Sequence, residues 1–318
     1  VSTPPVRWGF LGAGFVASRG MAPALHAADG AVLQVVGARD VARARALEPV
    51  RAVASYDEVC AADDVDAVYV SLPNDDHLPW VVRALEAGKH VLCEKPLAMD
   101  AAQVAHMTAA AARTDRLLVE AAWNRWHPRT RRAEILAAGL PGPRTVSAWF
   151  TFPGVPADNY RLDPRRGGGA LLDVGSYAVA AAHWAMAADD VRVAEVARHV
   201  GPTGVDLTTS AVLVAGENRA QVTASFERAE SQGLRVGAPG WAIELPGQAF
   251  TSWRGPSELR VTEGDGVRTE TFEPCDAYRL MIEAISARIT GRDAWVLPLS
   301  ASAAVAATLD EIAATTSG

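Results

Sequence analysis

The 318-residue chain is 49% hydrophobic and 21% charged, an ordinary globular composition that can bury a sizeable core and fill about two domains. Its formal net charge of −7 argues against a general nucleic-acid or anionic-membrane binder, whose footprint is basic, though a local basic pocket for a phosphate remains open. Cys60, Cys93 and Cys275 are too widely spaced for a disulfide framework or a zinc site, and no apolar run approaches about 18 residues. A cytoplasmic protein with no metal and no membrane span is expected, and Val1 to Arg7 lacks the basic-then-apolar pattern of a signal peptide.

Residues 7–11 form a short apolar run that enters Gly12-Ala13-Gly14-Phe15-Val16-Ala17, and residues 17–28 are Ala-rich and helix-compatible, although Gly20 and Pro23 weaken a helix there. Strand, glycine turn and helix are the context in which G-x-G-x-x-A reads as a dinucleotide fingerprint. Gly12 permits the tight turn, Gly14 lets the backbone approach a pyrophosphate at the helix N-terminus, and Ala17 allows close helix packing. Gly12, Ala13, Gly14, Phe15 and Val16 are therefore candidate cofactor contacts. The run 31–37 is the second strand. Arg39 lies just beyond it, where a guanidinium takes a 2′-phosphate and an acidic residue takes a ribose 2′-hydroxyl. Arg39 favours NADP(H), with NAD(H) open through Asp40; Arg39 as a solvated loop residue and Asp40 as a helix N-cap are the plain alternatives.

A helix over 41–47, a short strand over 52–54 and a helix from Tyr56 come next. Residues 66–71 are a buried strand leading to Leu72, Pro73 and Asn74, then to His77 and a helix through Glu86 that Gly88 caps. Leu72, Pro73, Asn74 and His77 are candidate cofactor contacts, since the loop after such a strand lies over the ligand. The apolar run before Glu94-Lys95-Pro96 places these three residues at the carboxyl end of a parallel strand, where open α/β sheets bind ligands. Glu-Lys-Pro also occurs in ordinary loops, and takes its meaning here from the glycine turn before it and the Asp-Tyr pair after it. With helix 100–113 and strand 117–121, the alternation indicates a doubly wound parallel sheet over domain 1–122.

From residue 123 the pattern changes. Trp123-Asn-Arg125-Trp-His-Pro128 introduces a helix over 129–138, and alternating runs follow at 145–152, 191–200, 208–214, 219–226, 241–245, 257–262 and 267–272. In 219–226, Ala220, Val222, Ala224 and Phe226 face one way while Arg219, Gln221, Thr223 and Ser225 face the other. A mainly antiparallel sheet with one covered face is expected over domain 123–318, closed by helices 276–290 and 299–314, the last able to pack back on the first domain. Within it, Asn159-Tyr160-Arg161 precedes Gly167-Gly-Gly-Ala-Leu-Leu-Asp173-Val-Gly-Ser-Tyr177. The triple glycine lacks the Gly-Lys-Ser/Thr ending of a phosphate loop and reads as a flexible lead into a helix. Asp173 and Tyr177, four apart, share one helix face. Arg125, Arg161, Arg165 and Arg166 are candidates to hold a substrate phosphate or nucleotide diphosphate, or are simply solvated.

Four motifs in order, Gly12 to Ala17, Glu94-Lys95-Pro96, Glu120 to Pro128 and Gly169 to Tyr177, make the chain resemble the Gfo/Idh/MocA oxidoreductases over nearly its whole length. The resemblance implies a Rossmann domain plus an open-faced β-sheet domain through which a homodimer or homotetramer forms. It also implies a catalytic Lys95 near the nicotinamide and the reacting oxygen, Asp173 on substrate hydroxyls, and Tyr177 at the general acid/base position. Trp123, Arg125, Arg161 and Asp173 are the substrate-side candidates. Ala180 stands where inositol-dehydrogenase-like members often carry aspartate, which turns the reading toward the glucose-fructose oxidoreductase, dihydrodiol dehydrogenase and nucleotide-sugar ketoreductase side. The expectation is an NADP(H)-dependent enzyme acting on a sugar-like alcohol or ketone. Its rivals are a dihydrodiol- or aldose-type dehydrogenase and, from another class, a non-catalytic dinucleotide sensor.

Overall fold

The computed structural model describes residues 4–188, 190–252 and 254–315. The chain divides into two compact units, Val1–Trp126 with Asp276–Ala303, and His127–Cys275 with Ala304–Gly318.

The first unit is built on six parallel strands, β1 (Val6–Leu11), β2 (Ala31–Gly37), β3 (Arg51–Val53), β4 (Ala67–Val70), β5 (His90–Cys93) and β6 (Leu118–Glu120), in the order β3-β2-β1-β4-β5-β6. This is the Rossmann strand order, and it reverses direction between β1 and β4, the switch point at which such sheets bind ligands. The strands read as near-continuous apolar runs because helices cover both faces: β4 is buried at every position. The helix after β1 forms despite Gly20 and Pro23. Its opening turn, Ala17–Met21, is a wide π-type turn that continues as α1 (Ala22–His26). Pro23 falls within the first turn of α1, where a missing N–H costs little. A Cβ on Gly20 would lie 3.1 Å from the Tyr278 ring, so the glycine admits that ring.

The second unit carries eight strands: β7 (Thr145–Thr151), β8 (Arg192–Val200), β9 (Asp206–Ala215), β10 (Asn218–Ser225), β11 (Ser231–Ala238), β12 (Trp241–Leu245), β13 (Ser257–Glu263) and β14 (Gly266–Phe272). Their order is β14-β13-β12-β11-β7-β10-β9-β8, with every neighbouring pair antiparallel except β7 and β10. The alternation seen in the sequence sorts the faces. Val146, Ala148, Phe150, Ala220, Val222, Ala224, Leu234 and Val236 join one core with the buried side of α7 (Ser176–Met186). Ser147 and Gln221 on the opposite face are exposed, with Trp149 and Thr223 half-buried. Strand β11 has no counterpart among the sequence expectations. Two glycines interrupt its apolar pattern because the neighbouring strand needs the space: a Cβ at Gly233 would lie 2.1 Å from the Trp149 ring, and one at Gly237 2.8 Å from Thr145 Oγ1.

Among the described residues no helix is long and apolar enough to cross a membrane, and no group of three or more His, Cys, Asp or Glu side chains is placed to hold a metal ion.

Candidate active site

In the first unit the candidate residues come from the loops at the carboxyl ends of β1, β2, β4, β5 and β6. Gly12 has φ +98, and a Cβ on it would lie 2.5 Å from the carbonyl oxygen of Ser71, so only glycine fits the turn. Gly14 differs: its hypothetical Cβ meets nothing closer than that oxygen at 4.0 Å. The protein's own packing does not require a glycine there, whereas a backbone cradle for a pyrophosphate does. Ala13 is buried, Val16 half-buried and Phe15 77% exposed. The glycine turn therefore fits a dinucleotide.

Beyond β2, Arg39 is exposed. Asp40 caps α2 (Val41–Arg45), its Oδ1 accepting from Ala42 N at 2.9 Å. Asp40 is thus the N-cap of the two alternatives, and its carboxylate is committed to the helix. Arg43, which the sequence reading passed over, donates to Ala13 O at 2.7 Å and so ties the second βα loop to the glycine turn. The positive charges of Arg39 and Arg43 both act on the Tyr56 hydroxyl, whose pKa burial nevertheless holds above the ordinary value. Two guanidiniums therefore act on one side chain, and one of them, Arg43, is bonded to the turn. A basic residue one helical turn after Arg39 was the signal available.

After β4, Leu72 and Pro73 are half-buried, Asn74 is buried, and His77 is fully buried at the start of α4 (His77–Glu86). The two ring nitrogens of His77 face Leu72 O at 2.9 Å and Pro96 O at 3.0 Å, so this side chain braces the loop after β4 against the loop after β5. Burial pulls its pKa below the ordinary histidine value against the pull of both carbonyls, and a neutral ring donates to one of them at a time.

The loop after β5 holds Glu94, Lys95 and Pro96, with a cis Lys95–Pro96 peptide. Glu94 is buried; its Oε1 accepts from the Tyr69 hydroxyl at 2.5 Å and its Oε2 from Lys95 N at 3.3 Å. Glu120 Oε1 accepts from Leu97 N at 3.1 Å on the other side. Burial raises both carboxyl pKa values, and the Lys95 charge is among the groups that pull them back. Two buried acids thus flank the backbone of a half-buried lysine. Trp123 stacks on Tyr278 at 4.6 Å, and the buried Arg125 lies 5.9 Å from the centre of the Trp295 ring.

In the second unit the triple glycine is a fixed structure, and the expected flexible lead is corrected. Gly167 and Gly169 have positive φ, and a Cβ on Gly168 would lie 2.6 Å from Arg161 O. The helix then opens with another wide turn, Leu171–Gly175, before α7. Such π-type turns inside helices are frequent at functional sites. Asp173 lies in that turn and Tyr177 four residues on, in α7. Arg161 Nε donates to Asp173 Oδ2 at 2.7 Å, and its guanidinium sits 5.0 Å from the Tyr160 ring centre. Burial works against the Arg161 charge, but Asp173, Tyr160 and Tyr177 outweigh it and hold the pKa above the ordinary value. Arg165 pairs with Asp163 at 3.1 Å on the surface. The Tyr177 ring packs 5.6 Å from Phe150 and 5.8 Å from Phe250.

A Rossmann sheet with a glycine turn and a lysine at its switch-point edge, joined in one chain to an open sheet bearing an Asp-Tyr helix, defines a nicotinamide-dependent oxidoreductase. Residues 6–122 match the oxidoreductase family with an NAD-binding Rossmann fold, GFO_IDH_MocA, and residues 130–241 match the GFO/IDH/MocA C-terminal domain. The chain belongs to the Gfo/Idh/MocA family. It is 34% identical over 313 residues to D-xylose 1-dehydrogenase (NADP(+)) 2 of Haloferax volcanii, covering 96% of this chain and 95% of that one. It is 38% identical over 234 residues to dTDP-3,4-didehydro-2,6-dideoxy-alpha-D-glucose 3-reductase of Actinomadura kijaniata, covering 71% and 70% of the two chains. Among solved structures, the 3-ketoreductase KijD10 from Actinomadura kijaniata, in complex with NADP and TDP-benzene, superposes with a TM-score of 0.89 at 28% identity, covering 97% of each chain.

Proposed function

We propose that this protein is an NADP(H)-dependent oxidoreductase that interconverts an alcohol and a carbonyl on a sugar. NADP(H), when bound, supplies or takes up the hydride. In this reading Gly12, Ala13, Gly14, Phe15 and Val16 hold the pyrophosphate side, and Arg39 pairs the 2′-phosphate with Arg43 beside it. Leu72, Pro73, Asn74, Glu94, Lys95 and Pro96 form the nicotinamide side, with His77 acting through the two loops it braces. Asp173 and Arg161 orient the sugar hydroxyls, and Trp123 and Arg125 remain substrate-side candidates.

The observation that carries the reading is the way Lys95 is held. Its backbone N–H donates to a buried glutamate at the carboxyl end of β5, which sets where its side chain leaves the ligand-binding edge of the sheet. In the reducing direction the Tyr177 hydroxyl donates its proton to the carbonyl oxygen while Lys95 hydrogen-bonds that same oxygen; in the reverse direction Tyr177 takes the proton back. A free tyrosine, with a pKa near about 10, is a poor base at neutral pH, and cations stabilise its phenolate. Arg161, whose charge acts on Tyr177, is one such cation within the same unit. Because Arg161 is engaged by Asp173, the pair suits hydroxyl recognition better than phosphate binding.

The relatives acting on D-xylose and on a dTDP-linked keto sugar define the assay: aldoses with NADP(+), and keto sugars with NADPH. Lys95→Ala and Tyr177→Phe are each expected to lower kcat by roughly 10²–10⁴ with the fold intact, the usual range for general acid–base catalysis. Full turnover in Tyr177→Phe would overturn its assignment. We further propose a homodimer or homotetramer formed through the eight-stranded sheet, whose polar face is open, and a cytoplasmic setting that suits the buried free thiols of Cys60 and Cys93.

A further inference from the structure

Arg129 is 2% exposed, yet among the described residues its guanidinium pairs with no carboxylate. Its terminal nitrogen donates to Gln248 O at 2.8 Å and Ala249 O at 3.0 Å, two successive carbonyls of the loop after β12. Burial lowers its pKa to about 10. A buried cation that meets two backbone carbonyls and, among the described residues, leaves its Nε without a partner is costly unless it fixes something that matters. The same loop is held from a second side by Gln232 on β11, whose Oε1 accepts from Phe250 N at 3.2 Å and whose Nε2 donates to Thr251 Oγ1 at 2.7 Å. Between the two anchors lies Phe250, itself 2% exposed. Its ring is 5.8 Å from that of Tyr177 and 6.2 Å from that of Phe150, which in turn lies 5.6 Å from Tyr177. Each pair is at a separation where aromatic rings attract and fix one another.

We infer that Arg129 and Gln232 are positioning residues for the proton donor: they clamp the 248–251 loop so that Phe250, with Phe150, forms a two-sided aromatic wall that fixes the Tyr177 ring and keeps water from it. The inference rests on the reading of Tyr177 as the proton donor. A clamp is suited to this task because a proton donor displaced by about 1 Å can lose on the order of a hundredfold in rate.

The test uses the full-length protein and has two readouts. The first is alkaline titration of tyrosinate absorbance, with the Tyr177→Phe curve subtracted so that only the Tyr177 phenol is followed. Phe250→Ala admits water to the ring and is expected to move the midpoint down by about half a pH unit or more, because a solvated phenolate forms more easily. The charged neighbours Arg161 and Asp173 are untouched by that change. Phe250→Leu, which keeps an apolar filler, is expected to restore most of the wild-type midpoint. Arg129→Met, which removes both donations to the loop, is expected to behave like Phe250→Ala, and Gln232→Leu serves as the second clamp variant should Arg129→Met fail to fold. The second readout is turnover of the best wild-type sugar. Here kcat is expected to fall about tenfold or more in Phe250→Ala and in the clamp variants. Their affinity for NADPH should match wild type, since the proposed cofactor contacts belong to the other unit. A wild-type midpoint in Phe250→Ala overturns the inference whatever the rate. Full turnover in Tyr177→Phe would instead overturn the catalytic assignment and leave the midpoint result standing, so the two failures are distinguishable.

Discussion

Gly169 shows how much of this chemistry is set by single residues. It has φ +114, and a Cβ placed on it would lie 2.1 Å from Asp206 Oδ1. The other oxygen of that carboxylate accepts from Leu171 N at 2.8 Å and Thr209 Oγ1 at 2.7 Å, so Asp206, on β9, satisfies an N–H that opens the helix bearing Asp173 and Tyr177. Burial raises the Asp206 pKa, while these donors and Arg198 favour its charged form. Gly169→Ala therefore meets a left-handed backbone and a carboxylate at once. It is expected to cost about 1–3 kcal/mol in denaturant unfolding from backbone strain alone, and to depress kcat more than NADPH affinity. Wild-type stability and kcat in that variant would show that the glycine is dispensable. Neither Asp206 nor Arg129 was legible in the sequence, because each acts through backbone groups far along the chain. Lys95 and Tyr177 stood out as candidates because they stand in motifs with local context.

At the scale of elements, the parallel sheet was legible throughout, since its strands are short, near-continuous apolar runs between helical segments. In the second unit, period-two alternation located seven strands and failed at β11. There the residues at 233 and 237 are glycines chosen to fit Trp149 and Thr145 on the neighbouring strand, and a cross-strand requirement leaves no mark on a hydropathy pattern. The wide turns Ala17–Met21 and Leu171–Gly175 escaped in the same way. Both read as ordinary helix starts, and both adjoin candidate site residues. The expected pairing of Asp173 with Tyr177 on one helix survives as a placement on consecutive turns, with the first turn wider than the α-helical spacing assumed.

For the whole molecule, acid sensitivity follows from two histidines in the second unit, His127 buried and His183 half-buried. Burial lowers His127 to about 4, with the Arg129 charge adding to the effect, and burial lowers His183 to about 4. His127 Nδ1 accepts from Arg129 N at 3.1 Å and His183 Nε2 contacts Thr308 Oγ1 at 2.8 Å, both compatible with neutral rings. In the unfolded chain each titrates near about 6.5. Between these values the unfolded state binds protons that the folded state refuses, so stability is full above about pH 6.5 and is lost as the pH falls toward 4. Thermal unfolding of the wild type is expected to drop over this window more steeply than that of a His127→Gln, His183→Gln double variant. Equal slopes would show that the folded protein protonates both rings.

The measurement that bears most directly on the proposed function is a fluorescence titration of the purified protein with NADPH and with NADH. With Arg39 just beyond β2, Arg43 bonded to the glycine turn and Asp40 capping its helix, the protein should bind NADPH at least about tenfold more tightly than NADH, the worth of one charge-assisted contact to the 2′-phosphate. NADH binding as tight as NADPH, or tighter, would contradict the assignment of Arg39, and failure of both to bind would contradict the oxidoreductase site itself.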